Sequence, residues 1–315
     1  MKLKSVSIGR LSTKNNVFVA PLAGFSDSAF RSICYSLGAG LCFNEMVSAK
    51  GMIYNSNATA ELLRTADNEY IKAAQIFGND KDVMLAAIRM PQFEKFDIVD
   101  VNFGCPVPKV FNNGEGSALL NEPQVAESIV ENLVKSGKII TVKMRLGIDA
   151  DNNVAVEFGK RMEAAGASMI TLHARYRLQY YSGEPDFSTC EKLKSAVKVP
   201  VIFNGGVFTL EDADRAMDRT GADGVMLARG ALKTPWLIAE LTGNKPPDKK
   251  TLIKNHITEL ADICGERVAA VNFRKQMALY LKNVRGGKKL KETVFAATTV
   301  KEYFDVIDAA DFDGQ

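Results

Sequence analysis

One cysteine of this sequence lies on a turn, where a core residue would gain little. Residues 100–120 read DVNFGCPVPKVFNNGEGSALL, with Cys105 directly after a strand-like start. Pro106 limits the backbone of Cys105 to extended geometry, and Gly104 allows another group to approach closely. Because an ordinary thiol has a pKa of about 8.5, it is mostly protonated at neutral pH and can donate a proton. We therefore expect Cys105 to be a general acid, with a nucleophilic Cys/His pair with His173 as the alternative.

Other polar side chains interrupt or end short apolar runs, where burial without a partner is costly. They are Asn44 and Glu45, Gln75, Asn102, Lys143 and Arg145, His173 and Arg175, and Asn204. Taken one at a time, such a residue can be explained as a satisfied interior amide, a strand end in solvent or a capping histidine. Their recurrence after successive apolar runs predicts instead that they meet in one site.

The elements that must position these residues are eight short apolar runs, separated by segments with helical spacing. The runs are Val17–Ala20, Leu41–Met46, Ile71–Phe77, Ile98–Phe103, Ile139–Met144, Met169–His173, Val199–Asn204 and Gly224–Ala228. The helical segments include Asp80–Phe93, Pro123–Ser136, Val154–Ala165 and Leu210–Arg219. Eight alternating units predict an α/β fold, a (β/α)8 TIM barrel, whose polar residues gather at the carboxyl ends of the strands. A doubly wound sheet is the structural alternative.

Two glycine turns suggest where a phosphate would bind. The sequences NGG, residues 204–206, and LARG, residues 227–230, follow the last two apolar runs. Glycines alone are weak evidence, because they also permit tight turns. The loops after the last two strands are, however, where such barrels commonly bind phosphate, and Arg229 would add a charged donor.

The pattern changes near residue 245, and strand-like runs then stop. Residues 242–250 read TGNKPPDKK, which is typical of a linker or a helix start. Helical spacing returns in Leu252–Ile263, Val268–Val284 and Val300–Ile307. We therefore predict a catalytic barrel over residues 1–244 and a small helical domain over residues 245–315, with His256 on a helix surface and a frayed tail.

Composition is ordinary for a globular protein of 315 residues, with 46% hydrophobic and 24% charged residues. The five cysteines are odd in number and irregularly spaced, without a CxxC pair, which argues for a reducing compartment and against structural zinc. No stretch is apolar enough for a signal peptide or a membrane span. We therefore expect a cytoplasmic protein, monomeric and without a metal.

A basic segment lies in the predicted helical domain, although the net charge is only +3. Residues 267–291 include eight basic residues and no acidic one. An apolar helical stripe would be formed by Phe273, Met277, Tyr280 and Val284. Arg274, Lys275 and Lys282 then point elsewhere, and residues 285–291, RGGKKLK, extend the charge past the helix. Such a run is usually a solvated face, but beside a barrel that acts on a polyanion it would follow a phosphate backbone.

The motifs of this chain, in their order, resemble those of the tRNA-dihydrouridine synthases, with a bacterial B-type pattern. They are APLAGFSD, QIFG, VNFGCPVPKV with GEGSALL, VKMRLG, LHAR with YYSGEPD, NGG and GVMLARGALKTPW. The resemblance extends from about Phe18 to the C-terminal helices, where residues 274–283, RKQMALYLKN, resemble the family's helical-domain signature. Three positions depart from the pattern: Gly206 replaces a frequent Asp, Tyr176 a commoner Thr, and Gln276 a His.

The resemblance implies an FMN-dependent oxidoreductase that reduces specific uridines in tRNA to 5,6-dihydrouridine, with NADPH as the reductant. Reduced FMN would pass a hydride to uracil C6, and Cys105 matches the acid that protonates C5. The positions that match flavin contacts are Pro21, Leu22, Ala23, Gln75, Lys143, His173, Asn204, Gly205, Gly206, Ala228 and Arg229. The expected substrate-binding residues are Asn102, Arg145, Arg175, Arg274, Lys275 and Lys282.

Two rival functions remain open from the sequence. Another FMN barrel, of dihydroorotate or enoate type, would share the phosphate loops and the lysine, but it gives no reason for the basic helices. A non-enzymatic RNA-binding protein with a decayed barrel would have no use for a flavin site.

Overall fold

The computed structural model describes residues 1–54, 59 and 61–312 of the chain. Its strands are β1 (Ser7–Ile8), β2 (Leu11–Ser12), β3 (Val17–Val19), β4 (Leu41–Cys42), β5 (Val47–Ser48), β6 (Ala73–Phe77), β7 (Ile98–Phe103), β8 (Ile139–Arg145), β9 (Ile170–His173), β10 (Val201–Asn204) and β11 (Gly224–Leu227). Its α-helices are α1 (Ser28–Ser36), α2 (Ala49–Ile53), α3 (Lys81–Ile88), α4 (Pro108–Phe111), α5 (Pro123–Val134), α6 (Ala155–Ala164), α7 (Phe187–Ala196), α8 (Leu210–Thr220), α9 (Arg229–Lys233), α10 (Leu237–Leu241), α11 (Lys249–Cys264), α12 (Glu266–Tyr280), α13 (Gly287–Ala296) and α14 (Val300–Ala309).

Strands β3 to β11 form one parallel sheet that closes on itself. Their order is β4-β3-β11-β10-β9-β8-β7-β6-β5. β4 and β5 occupy one barrel position, because Phe43, just beyond β4, makes a parallel bridge to Ala73 of β6, and Val47 of β5 pairs with Ile76. The sheet therefore has eight positions, which confirms the predicted TIM barrel and excludes the doubly wound alternative.

Two predicted elements are shorter than expected. The run Leu41–Met46 is interrupted, because Asn44 bonds the backbone N–H of Gln75 with its side chain and Glu45 turns toward the Gly24 N–H. The helix predicted over Asp80–Phe93 ends at Ile88, and a 3₁₀ helix covers Pro91–Phe93. Proline lacks a backbone N–H and clashes with the preceding turn, so α3 cannot continue through it.

The barrel interior is layered, since alternate residues of each strand point inward. The layer nearest the amino ends of the strands is apolar and consists of Phe18, Leu41, Phe43, Ala73, Ile98, Ile139, Met169 and Ile202. Val6 and Ile8, from the hairpin β1–β2, join this cluster. Polar side chains begin one layer higher, toward the carboxyl ends, so the apolar floor leaves that end for a site.

The C-terminal helices pack on one side of the barrel, with α11 against α1 and α12 against α9. The predicted apolar stripe is confirmed, because all four of its residues are buried. Gln276, from the same face, donates to the Leu232 carbonyl at 2.8 Å and so ties α12 to α9. None of the helices in the described ranges is both long and apolar enough to cross a membrane.

Two expectations for this region are wrong. His256 is buried beside Tyr280, whose hydroxyl lies 2.9 Å from its Nδ1, and burial lowers the pKa of His256 to about 3. Residues 285–291 do lie past α12, which ends at Tyr280, and residues 287–291 form the first half of α13. The tail is packed as far as Phe312, whose carbonyl accepts from Lys249; residues 313–315 lie outside the described part.

Candidate active site

A cavity of about 340 Å³ opens at the carboxyl ends of the barrel strands. Cys105, Lys143 and Arg229 all line it, so the predicted acid, the predicted flavin cation and the predicted phosphate turn share one space. The other nine residues matched to flavin contacts line the same cavity, as do Asn102, Arg145 and Arg175. Within the described ranges, no Asp or Glu is among its lining residues.

The Cys105 turn is held from two sides. Asn102 Oδ1 accepts from the backbone N–H groups of Gly104, at 3.0 Å, and Cys105, at 2.8 Å. Ser117 donates to the Cys105 carbonyl through its hydroxyl, at 2.7 Å, and through its backbone N–H, at 3.2 Å. Gly116 has φ +62°, and a Cβ there would lie 3.0 Å from the Cys105 Cβ. The GEGSALL segment therefore forms the wall on which the cysteine turn rests.

Electrostatics favour a protonated thiol at this position. Burial raises the pKa of Cys105, although the Val107 backbone N–H and the charges of Arg145 and Lys143 act against that rise. Burial also holds the pKa of His173 well below its usual range, and the same two cations add to the effect. In the described part of the chain, no hydrogen bond joins Cys105 to His173. The arrangement thus suits proton donation better than a nucleophilic Cys/His pair.

Lys143 is fixed across the barrel by an amide. Its Nζ donates to Asn204 Oδ1 at 3.0 Å, and Asn204 Nδ2 donates to the Met226 carbonyl at 2.7 Å. Burial, followed by the charge of Arg145, lowers the pKa of Lys143 to about 8. The ammonium is therefore charged at neutral pH and held in one place.

Gln75 and Asn102, which were predicted for the flavin and the substrate, are bonded to each other. Asn102 Nδ2 donates to Gln75 Oε1 at 2.8 Å. Gln75 Nε2 donates in turn to Asp100 Oδ2 at 2.7 Å. Asp100 was not singled out from the sequence, although it interrupts the apolar run Ile98–Phe103, and it does not line the cavity.

Arg145 and Arg175 are bound to backbone carbonyl groups. Arg145 donates to the Gly104 carbonyl at 2.8 Å and to two carbonyl groups of the loop formed by residues 176–183, each at 2.9 Å. Arg175 donates to the Gly183 carbonyl at 2.8 Å, at the far end of the same loop. Both side chains therefore position this loop over the cavity, and Arg145 also connects it to the cysteine turn.

Tyr181 is a lining residue that the sequence analysis missed. Its ring is 51% exposed and lies 6.3 Å from the His173 ring, with 26° between the planes. The guanidinium groups of Arg145 and Arg229 lie 5.7 and 5.3 Å from its centroid. An aromatic ring held by cations at a cavity mouth can stack on a base. The YYSGEPD motif contains it, but the letters alone do not show which tyrosine faces inward.

The two glycine turns approach their neighbours closely. Gly205 has φ +135°, and a Cβ there would lie 3.0 Å from Arg175 Nη1. A Cβ on Gly230 would lie 2.4 Å from the Val207 carbonyl, so the first turn of α9 can sit against the NGG turn only with glycine there. Arg229 lies beside this contact and donates to the Tyr181 carbonyl at 3.0 Å.

The C-terminal cations predicted to bind substrate lie outside the cavity. Lys275 is exposed, and its ammonium lies 5.0 Å from the ring centroid of Phe25, a lining residue. Lys282 is also exposed and lies beside Lys233, whose pKa is lowered first by burial and then by that neighbouring charge. Arg274 is half-buried and donates to the carbonyl of residue 297 at 2.9 Å, between α13 and α14. Lys275 thus lies beside the cavity lining, Lys282 lies beside another cation, and Arg274 connects helices.

No group of His, Cys, Asp and Glu side chains suited to a metal ion occurs among the described residues.

Comparison with known proteins gives a consistent result. Residues 18–312 match the family model for dihydrouridine synthase (Dus). A probable tRNA-dihydrouridine synthase of Rickettsia bellii is 35% identical over 287 residues, 87% of this chain and 88% of that relative. The tRNA-dihydrouridine synthase B of Pasteurella multocida is 33% identical over 306 residues, 94% and 92% of the two chains.

Solved structures show the same barrel at much lower identity. An old yellow enzyme homologue of Zymomonas mobilis has a TM-score of 0.57 at 13% identity, over 79% of this chain and 95% of that one. Morphinone reductase has a TM-score of 0.56 at 14% identity, over 79% and 91%. At such identities the likeness shows the fold alone.

Proposed function

The chain belongs to the dihydrouridine synthase family, and on that premise we propose that it reduces specific uridines in tRNA to 5,6-dihydrouridine, with FMN as cofactor and NADPH as reductant. The observation that carries this proposal is the single cavity that brings Cys105, Lys143 and Arg229 together. We expect a monomer that acts in the cytoplasm.

The donor set of the cavity fits a phosphorylated aromatic cofactor. The NGG turn and Arg229 would hold the phosphate, since backbone N–H groups and a guanidinium are good phosphate donors. Pro21, Leu22 and Ala23 would supply backbone and apolar contact to the ring system, opposite Lys143 and His173. The absence of carboxylates from the described lining removes the charge that would repel an anionic group. Reduced FMN would supply the hydride for uracil C6.

Lys143 would stabilise negative charge beside the cofactor. A fixed cation is most effective where charge develops, because it needs no reorganisation during the reaction. The bond to Asn204 meets that requirement, since it holds the ammonium in place before a ligand binds.

Cys105 would donate the proton to uracil C5. Its thiol is 8% exposed at the cavity wall and is protonated at neutral pH by the argument above. Asn102 would contribute the N–H that contacts only the Met46 sulfur, at 3.6 Å, because its oxygen already accepts two backbone N–H groups and its other N–H bonds Gln75. Arg145 and Arg175 would act on the substrate through the loop that they hold, which carries Tyr181.

Residues 245–315 would form the tRNA-binding domain. A uridine stacked in folded tRNA cannot reach a barrel interior, so it must be flipped out at a cost of a few kcal/mol. Lys275 lies beside the lining residue Phe25 and Lys282 lies beside Lys233, and both would attract the phosphates that flank a flipped nucleotide. Arg274 would contribute by holding α12 to the helices that follow it.

The proposal is tested by mass spectrometry of the product. The FMN-loaded protein and NADPH are incubated with tRNA that lacks dihydrouridine, and uridine nucleosides two mass units heavier are expected. Free dihydroorotate and enones serve as the comparison substrates. Turnover of these small molecules without any change to tRNA contradicts the proposal and favours the small-molecule barrel; a protein that binds no flavin contradicts both.

A further inference from the structure

The carboxylate of Asp100 lies inside the barrel, below the cavity, and has no part in the chemistry proposed above. It points inward from β7 and is 1% exposed. Its register neighbours on the adjacent strands are Gln75 on β6 and Thr141 on β8. Gln75 Nε2 donates to Oδ2 at 2.7 Å, and Thr141 Oγ1 donates to Oδ1 at 2.6 Å. Both carboxylate oxygens therefore act as acceptors.

A hydrogen-bond chain connects the cysteine turn to this carboxylate. The backbone N–H groups of Gly104 and Cys105 donate to Asn102 Oδ1 at 3.0 and 2.8 Å. Asn102 Nδ2 donates to Gln75 Oε1 at 2.8 Å, and Gln75 Nε2 donates to Asp100 at 2.7 Å. Every bond in this chain has the same direction, from the turn to the carboxylate.

The groups at the two ends of this hydrogen-bond chain fix its direction. A backbone N–H can only donate, and an ionised carboxylate can only accept. An amide side chain that turned over would place an NH₂ group against another donor and leave an oxygen against another acceptor. Asp100 therefore decides which side of the Gln75 amide faces Asn102, and in consequence which atom of Asn102 faces the cysteine turn.

We propose that Asp100 is a positioning residue for Cys105, and that it acts through Gln75 and Asn102. The proposal depends on the proposed function for the role of the thiol, but the positioning itself can be measured without any reaction. Misplacement of a reacting group by about 1 Å can lower a rate about 100-fold, which sets the scale of the expected effect.

At neutral pH the Asp100 carboxylate is ionised, so both of its oxygens act only as acceptors. Burial raises the pKa of Asp100 to about 6, against the hydrogen bonds from Thr141 and Gln75 and the charge of Lys143. The carboxylate is therefore mostly ionised at pH 7 and above.

Two substitutions at Asp100 separate the direction of the hydrogen-bond chain from the charge of the carboxylate. Asp100→Leu removes the acceptor, so Gln75 Nε2 loses its partner and the Gln75 amide can turn its NH₂ group toward Asn102, where it competes with the cysteine turn for the Asn102 oxygen. Asp100→Asn can still offer an oxygen to Gln75, because its NH₂ group can donate to the Thr141 hydroxyl. Thr171→Val is the matched control, since Thr171 is buried on β9 and its hydroxyl has no partner within the described residues.

The experiment measures amide hydrogen exchange at residues 104 and 105, the rate of Cys105 alkylation by iodoacetamide, and kcat and KM with unmodified tRNA. Asp100→Leu is expected to accelerate exchange and alkylation and to lower kcat about 100-fold with little change in KM. Asp100→Asn is expected to recover most of that loss, and Thr171→Val to leave exchange at 104 and 105 unchanged. Should Asp100→Leu fail to fold, Asp100→Ser, which is too short to reach Gln75, replaces it.

Two results overturn the proposal. One is a folded Asp100→Leu protein with wild-type exchange at the turn and wild-type kcat. The other is an equal change in exchange and kcat in the Asp100→Leu and Asp100→Asn proteins, which would assign the effect to the lost charge and not to the direction of the hydrogen bonds. If the wild-type protein reduces no uridine, the proposed function fails, but exchange and alkylation still decide whether Asp100 positions the turn.

Discussion

The cysteine turn and the basic face of α12 are predicted to serve one substrate in different ways. At the turn, Asn102 and Ser117 hold the backbone of Cys105, and the thiol is almost fully buried. On α12, Lys275 is exposed, and its ammonium lies over the ring of Phe25. A proton can be delivered only from a fixed position, whereas attraction to a phosphate backbone tolerates moving charges. Substitutions at the turn should therefore affect the rate, and substitutions on the helix should affect binding.

The largest effect is expected from Cys105→Ala. Loss of a general acid typically costs about 10²- to 10⁴-fold in rate, so dihydrouridine formation should nearly stop. Flavin content and NADPH-driven flavin reduction should remain, because the thiol is not needed for either. Product formation by mass spectrometry and flavin absorbance check both points. Cys264→Ala, at a half-buried cysteine on α11, is the control. A wild-type rate for Cys105→Ala would contradict the assignment of Cys105 as the general acid.

A somewhat smaller effect is expected from Lys143→Met. Removal of one fixed group that stabilises developing charge typically costs about 10²- to 10³-fold in kcat. The midpoint potential of the bound flavin should fall as well, because the reduced anion loses its neighbouring cation. Lys138→Met is the control, since Lys138 lies just before β8 and donates to the Phe96 carbonyl far from the cavity. An unchanged potential would show that Lys143 does not face the flavin.

On the helical side, Lys282→Glu combined with Lys288→Glu is expected to weaken tRNA binding about tenfold and to reduce the salt dependence of that binding. Flavin reduction by NADPH should be unaffected, because neither residue lines the cavity. Titration at several salt concentrations measures the effect. Lys192→Glu combined with Lys198→Glu, an equal change of charge at two exposed positions, is the control. A large loss of flavin reduction in the double variant would contradict the claim that the helical region acts only in tRNA binding.

The smallest effect is expected from pH. Because the pKa of Lys143 is lowered to about 8, turnover that depends on the charged ammonium should decline as pH rises through that value. Stability should change in the opposite sense: between about 8 and 10.5 the unfolded lysine binds a proton that the folded one has lost, so its contribution to the free energy of unfolding rises with pH. Lys143→Arg should move the decline in turnover to higher pH. A rate that stays level between pH 7 and 9 would contradict the assignment.

The barrel could be predicted because parallel strands buried on both faces appear in a sequence as short apolar runs. The break in the second strand could not, since the bonds that Asn44 and Glu45 make join segments distant in sequence. Cys105 stood out as a thiol on a turn, and Lys143 as a cation within an apolar run. Asp100 did not, because its partners on β6 and β8 become visible only when the strands are paired.

The helical region was harder to predict than the barrel. The apolar stripe of α12 follows from periodicity, but the burial of His256 depends on Tyr280 from the next helix. Arg274 looked like its neighbours in the basic run, yet it bonds a carbonyl group between α13 and α14. Charge in a sequence does not show which cations face a ligand and which hold helices together.

The pH dependence of Cys105 alkylation tests the central claim most directly. The wild-type protein is treated with iodoacetamide over a range of pH, and modification of Cys105 is followed by mass spectrometry. A proton-donating thiol in this buried setting should react slowly at pH 7, with a midpoint above the value of about 8.5 that is usual for cysteine. A midpoint below 7 would show a thiolate, and with it a nucleophile in place of the acid.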